Sequence, residues 1–120
     1  MMIISFAWTT EALLSGIKKC SRRDWDDKYA KRFRAGEKYQ AFDHNPRVGG
    51  KRVGIIEMTC NPYKERLDLI TDEEEKLEGG LWGSAEEYIR AFCEGAKVSR
   101  EKEIYVIRFE LLGLEPKVIK

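Results

Sequence analysis

The chain is poor in the residues on which metal binding and nucleophile–histidine catalysis depend. Its 120 residues include one histidine, three cysteines and three prolines. Cys20, Cys60 and Cys93 are odd in number and far apart. Such a set does not make a disulfide framework and fits a reducing compartment, so a cytoplasmic location is expected. No CxxC or HxxxH spacing occurs, so no zinc or other metal site is expected. A Ser-His-Asp or Cys-His device would have to use His44, which lies in a Pro/Gly-rich loop. No apolar run approaches the ~20 residues that span a bilayer, and no membrane partner is expected. Met1–Trp8 is apolar and lacks a basic leader, so it reads as a first strand and not as a signal peptide. No Gly-rich nucleotide loop is present, and no cofactor is expected.

What is present is the composition of one globular domain, residues 1–120, with 42% hydrophobic and 36% charged residues. That length buries a core without staples. The net charge is +1, but it is unevenly placed. From Ile17 to Lys38, nine basic residues stand against four acidic ones; from Glu65 to Glu87, nine acidic residues stand against two basic ones. This asymmetry marks either an anion-binding face or a pair of solvated helix faces.

The pattern predicts an α+β chain. Met2–Trp8 reads as a strand, followed by a short helix over Glu11–Ser15 with Thr9 or Thr10 as cap and Gly16 beyond its end. Ile17–Arg23 reads as extended. Trp25, Tyr29 and Phe33 recur every fourth residue and predict a helix over Asp26–Arg34. Lys38–Phe42 and Arg52–Thr59 read as strands joined by the long loop Asp43–Lys51. Thr71 with Glu74 and Ser84 with Glu87 are capping boxes. They predict helices over Asp72–Glu78 and Ala85–Glu94, closed by Gly79 and Gly95. Glu103–Leu112 alternates, with Tyr105, Ile107, Phe109 and Leu111 on one face, and reads as a central strand. Glu115–Lys120 is expected to add an edge strand. Trp8, Trp25, Tyr29, Phe33 and the three cysteines are expected in the core.

The segment Gly16-Ile17-Lys18-Lys19-Cys20-Ser21-Arg22-Arg23 reads G-x-K-x-x-x-x-R and follows a strand and a short helix. With the Ala35-Gly36-Glu37 turn, the strand Val53–Thr59 and the closing strand Glu103–Leu112, it resembles the ASCH family, relatives of the PUA RNA-binding domain. The resemblance spans most of the chain. It implies a small PUA-like mixed β-barrel with helices packed at the rim and a basic cleft beside the first helix. It also implies an RNA or a modified nucleoside as partner. One bacterial branch of the family hydrolyses N4-acetylcytidine, and ribonuclease action has been proposed for other relatives. The branch's catalytic lysine, hydroxyl residue and glutamate fall on Lys18, Ser21 and Glu78. Here a serine stands where that branch has threonine, and Gly79-Gly80-Leu81-Trp82-Gly83 follows Glu78.

Each of these residues has a chemical reading of its own. A lysine among apolar groups and other cations has a lowered pKa and serves as a base; the alternative for Lys18 is a surface phosphate contact. Ser21 is a nucleophile if Lys18 takes its proton, although on a regular strand the two would face opposite ways. Glu78 orients Lys18 or protonates a leaving amine if buried; otherwise it is an exposed helix end. Lys19, Arg22, Arg23 and Arg47 are candidate ligand-binding cations, and Trp82 is a candidate for stacking on a base. Three functions compete: RNA or nucleoside binding, amide hydrolysis on an acylated nucleoside, and a protein-interaction adaptor. The last is favoured if the basic segment proves to be internally paired.

Overall fold

The computed structural model describes residues 2–114. In chain order it contains β1 (Ile3–Ser5), α1 (Thr10–Leu14), β2 (Cys20–Arg23), α2 (Asp27–Ala30), β3 (Lys38–Phe42) and β4 (Arg52–Met58). These are followed by β5 (Tyr63–Arg66), α3 (Asp72–Glu78), α4 (Ala85–Ala96) and β6 (Glu103–Leu114). Short 3-10 turns cover Ala7–Thr9, Pro46–Val48 and Leu67–Leu69. The fold is α+β, a curled mixed sheet in a half-barrel with helices against it. Among the described residues no helix is long and apolar enough to cross a membrane.

The sheet is organised by β6. Its second half pairs antiparallel with β4, and its first half lies between β2 and β5. β4 and β5 therefore succeed one another along one edge of β6, from Met58 opposite Phe109 to Tyr63 opposite Val106. β3 extends the sheet beyond β4, and β1 adds in parallel at its far edge. The register shifts between Ala41 and Phe42 and between Ile55 and Ile56, and such bulges bend a sheet. Gly54 lets β4 come close to β6, because a Cβ there would stand 2.5 Å from the Gly113 carbonyl oxygen.

β6 is buried on both faces because a core lies on each side of it. Ile107 and Phe109 join Ile4, Phe6, Leu13, Phe33, Ile56 and Met58 on one side. Ile104 joins Leu67, Ile70, Tyr88 and Ile89 beneath α3 and α4 on the other. The expected single apolar face, running through Tyr105, is thus half of the strand's burial. Tyr105 itself is only half-buried and its hydroxyl bonds Asp27 at 2.6 Å.

Several elements differ from expectation. The strand Met2–Trp8 is confined to Ile3–Ser5, and Trp8 is 65% exposed instead of in the core. Ala7 holds a left-handed backbone at φ 46°, which ends the extended run and turns Trp8 outward. The helix over Asp26–Arg34 shrinks to Asp27–Ala30. Beyond it Arg32 N–H and Phe33 N–H bond three residues back, so the chain tightens into a turn. The aromatic spacing still produces contact: Trp25 stacks on Phe33 at 4.5 Å, and Tyr29 meets both rings edge-on. Both N-caps form, with Thr71 and Ser84 side chains accepting from Glu74 and Glu87 N–H at 3.2 Å, while the Glu74 carboxylate turns to Arg22 and Arg108. Gly79 closes α3 at φ 134°, but Gly95 does not close α4, which runs on to a left-handed Lys97. β5 was not expected; its four residues lack an apolar pattern, and pairing with β6 selects them. Cys20 is buried, whereas Cys60 and Cys93 are half-buried. The expected edge strand Glu115–Lys120 lies outside the described residues.

Candidate functional site

The motif lysine is positioned by the end of α1. Gly16 adopts φ 83°, and the N–H groups of Ile17 and Lys18 both bond the Ala12 carbonyl, at 3.1 and 3.0 Å. The next N–H, of Lys19, bonds the Leu77 carbonyl of α3 at 2.7 Å. This tie sets Lys18 beside the C-terminal turn of α3, where Glu78 sits. Lys18 Nζ donates to Glu78 Oε1 at 3.1 Å and to the Glu78 carbonyl oxygen at 2.8 Å. Both side chains are almost wholly buried, at 2% and 1%. Lys18 is thus no surface phosphate contact, and Glu78 is no exposed helix end.

Glu78 is shared. Its Oε2 accepts from Arg22 Nη1 at 3.0 Å, while Arg22 Nη2 reaches Glu74 at 3.1 Å and Glu65 at 3.3 Å. Arg108 also pairs with Glu74 and donates to the Tyr63 hydroxyl at 3.0 Å. The acidic run of α3 and the strand β5 therefore neutralise the buried part of the basic segment. Arg22 is fully committed to internal pairs, save for a buried Nε without a partner. Register explains the geometry: Cys20 and Arg22 share the face of β2 that α3 covers, and Ser21 and Arg23 share the other.

On that other face Ser21 is buried, and its Oγ accepts from Arg23 Nε at 2.9 Å. Arg23 also donates to the Ser5 carbonyl at 2.9 Å, and its guanidinium lies over the Phe6 ring at 5.4 Å. Asp24 pairs instead with Lys102. Among the described residues Arg23 has no carboxylate partner, and its half-buried charge meets only a hydroxyl and a carbonyl. Lys18 precedes β2, so strand alternation does not separate it from Ser21. No hydrogen bond joins the two among the described residues. Arg23, which bonds Ser21, has no hydrogen bond to Lys18 among the described residues.

Burial lowers the Lys18 pKa below the ordinary lysine value; Glu78 opposes this and Arg23 adds to it. Burial likewise lowers that of Arg23. It also works against the charge on Arg22, but Glu78 and Glu74 outweigh it and hold that guanidinium more firmly charged. The Cys20 thiol is pushed up to about 12 by burial and then by Glu78. Burial, and then the Glu78 charge, raise the pKa of the Tyr88 phenol.

Two small hollows flank the site. One, of 190 Å³, is lined by Trp8, Trp82, Tyr88, Ala91 and Phe92. The Trp82 ring meets Trp8 and Tyr88 edge-on at 5.1 and 4.6 Å, and the Trp82 backbone N–H donates to the buried Glu75 carboxylate at 3.1 Å. The other, of 200 Å³, has Arg23 against Ser5, Trp25, Tyr29 and Asn45. Lys19 is exposed, and Arg47 is exposed on the Pro46–Val48 turn; neither is brought to Lys18 by a side-chain contact. Among the described residues no cluster of His, Cys, Asp or Glu is placed to hold a metal ion. Tyr88 and Trp8 were missed as site residues, because the first reads as core and the second as strand. Glu65 left no signal beyond the acidic surplus, Glu74 signalled only a helix start, and Arg108 left none.

No protein-family model and no curated protein sequence matches the chain. Its fold is similar to that of a solved structure, protein EF3133 from Enterococcus faecalis V583, described as DUF984. The two are 16% identical over 97% of this chain and 84% of the other, with a TM-score of 0.71. The likeness extends across nearly the whole chain and is one of fold.

Proposed function

We propose that this chain is an ASCH-type domain on a PUA-like barrel that seats a nucleoside, free or within RNA, and hydrolyses an acyl group from its exocyclic nitrogen. The observation that carries this reading is the buried contact between Lys18 and Glu78, sixty residues apart in sequence. Burial lowers the Lys18 pKa, and the Glu78 carboxylate at 3.1 Å gives the amine a partner through which a proton passes. The pair holds a base and a proton relay side by side, which an amide hydrolase needs.

The chemistry balances with Ser21 as nucleophile. Neutral Lys18 takes the Ser21 proton as Oγ attacks the acyl carbon. The oxyanion forms beside Arg23, a preorganised cation with no acid of its own. The C–N bond breaks, and the proton that Lys18 took from Ser21 passes through the Glu78 carboxylate to the departing amine. Water then attacks the acyl ester as Lys18 takes one of its protons, and Lys18 returns that proton to Ser21 as the ester bond breaks. Amide and water become acid and amine, and both side chains regain their starting states. Lys18 and Ser21 need not be bonded before substrate arrives, since catalytic hydrogen bonds commonly tighten only in the complex.

The test is cytidine release from N4-acetylcytidine by the purified protein beside Lys18→Met, Ser21→Ala and Glu78→Gln. Turnover in the parent and a loss of at least ~100-fold in each variant is the expected result. A folded parent protein that releases no cytidine overturns the hydrolase reading.

A further inference from the structure

The hydrolase reading makes no use of the 190 Å³ hollow lined by Trp8, Trp82, Tyr88, Ala91 and Phe92. All of these but Ala91 are aromatic. The Trp82 ring stands at 73° to Trp8 and at 74° to Tyr88, so these walls meet nearly at right angles, like the sides of a box. Phe92 continues the Tyr88 wall, its ring centroid 6.1 Å away and its plane turned by 31°. Trp8 is 65% exposed, an unusual state for so large an apolar side chain, and the left-handed Ala7 turns it outward. The charge around the box is one-sided. None of the lining residues is ionic. Glu75 anchors the central wall: its carboxylate accepts from the Trp82 backbone N–H at 3.1 Å, and its carbonyl accepts from Gly80 N–H at 3.0 Å. Glu75 is 2% exposed, and among the described residues it makes no ion pair. The cations that reach α3 are committed to its other carboxylates, Lys18 and Arg22 to Glu78, and Arg22 and Arg108 to Glu74. On α4, Arg90 pairs with Glu86. A buried carboxylate without a countercharge is costly, and a cation bound beside it offsets that cost.

Aromatic faces beside a negative charge select a cation. The polar groups of the lining side chains select its kind: they are one phenol and two indole N–H groups. A primary ammonium, with three donors to satisfy, would give up its water there without replacement. A quaternary ammonium has no donor to satisfy. We propose that this hollow binds a quaternary ammonium group carried by a small molecule, its methyl groups against the rings and its charge balanced by Glu75. The size agrees, since 190 Å³ falls below the ~300–1,000 Å³ of pockets that enclose a whole drug-sized ligand and suits a headgroup. The inference goes beyond the hydrolase reading and does not rest on it.

The experiment is tryptophan fluorescence of the full chain titrated, at constant ionic strength, with choline and with 3,3-dimethylbutan-1-ol. The alcohol keeps the shape of choline but replaces its nitrogen by carbon and so carries no charge. A saturable change with choline, and at least ~10-fold weaker binding of the alcohol, is the expected result. Trp8→Leu and Glu75→Gln are each expected to weaken choline binding at least ~5-fold, with Trp82 as the remaining reporter in the first. Glu110→Gln, which removes an exposed acid of β6, is expected to leave it unchanged. Because Trp8 is exposed, Trp8→Leu is expected to keep the parent's urea midpoint, and it tests the hollow even where Glu75→Gln fails to fold. Equal binding of choline and the alcohol, no saturable response in the parent, or unchanged affinity in Trp8→Leu overturns the proposal. Tighter binding of a short peptide with one trimethyl-lysine than of choline would assign the hollow to a protein partner and overturn the small-molecule ligand. Turnover is not read in this titration, so a failed hydrolase and a failed hollow give different results.

Discussion

Glu78→Gln tests the electrostatics of the site without touching its shape. The variant keeps the side chain's size and one acceptor oxygen, but its amide NH₂ cannot accept the second hydrogen bond, and the negative charge between Lys18 Nζ and Arg22 Nη1, held at 3.1 and 3.0 Å, is gone. Breaking a buried pair costs about 3–5 kcal/mol when the remaining charge has no outlet. Arg22 keeps Glu74 and Glu65. Lys18 keeps only the residue-78 carbonyl, and its outlet is to lose its proton. Relative to an unfolded lysine near ~10.4, holding that amine neutral costs about 4.6 kcal/mol at pH 7 and about 1.9 kcal/mol at pH 9. The Lys18 pKa is already lowered by burial in the parent, and Glu78 is the charge that most opposes this. Removing Glu78 lowers it further. The unfolded chain then binds more protons than the folded one, so the variant gains stability as pH rises toward ~10.4. Urea unfolding of parent and variant is expected to differ by about 3–5 kcal/mol at pH 7 and by about 2 kcal/mol at pH 9. Lys18→Met/Glu78→Gln is expected to show no such narrowing. An equal difference at both pH values for Glu78→Gln would refute the buried-amine account.

The cysteines and the sheet give two further checks. Cys20 is fully buried with its thiol pushed up to about 12, whereas Cys60 and Cys93 are half-buried. Alkylation at pH 8 followed by mass spectrometry is expected to modify the latter two in the native protein and Cys20 only after unfolding. In Gly54→Ala the new methyl meets the Gly113 carbonyl at 2.5 Å, and backbone on the facing strand cannot swing away. A loss of about 1–3 kcal/mol is expected by urea unfolding. An unchanged midpoint would mean that β4 and β6 separate easily at that bulge.

Local rules carried far in this chain. The capping boxes at Thr71 and Ser84 set the starts of α3 and α4, and Gly16 and Gly79 set two helix ends, because caps depend on a few consecutive residues. β3 and the start of β4 follow from short-range alternation and turn residues. The Lys18, Ser21 and Glu78 candidates were legible only through a family-like pattern. Their spacing alone argued for a solvated lysine and an exposed glutamate.

What only the tertiary structure decided is which charges are spent. Arg22 and Arg23 are adjacent and chemically identical, yet alternation along β2 turns one into three carboxylates and the other toward a serine and a backbone carbonyl. Lys18 meets Glu78 because the Lys19 N–H ties the end of α1 to α3, a contact across 58 residues that no local window contains. Trp8 faces solvent because Ala7 turns left-handed. The sequence by itself determined most of the elements, since their signals are local and periodic, but not β5, which only its pairing with β6 selects. Pairing around β6 determined the site, since burial, and with it the state of every charge, depends on what lies opposite.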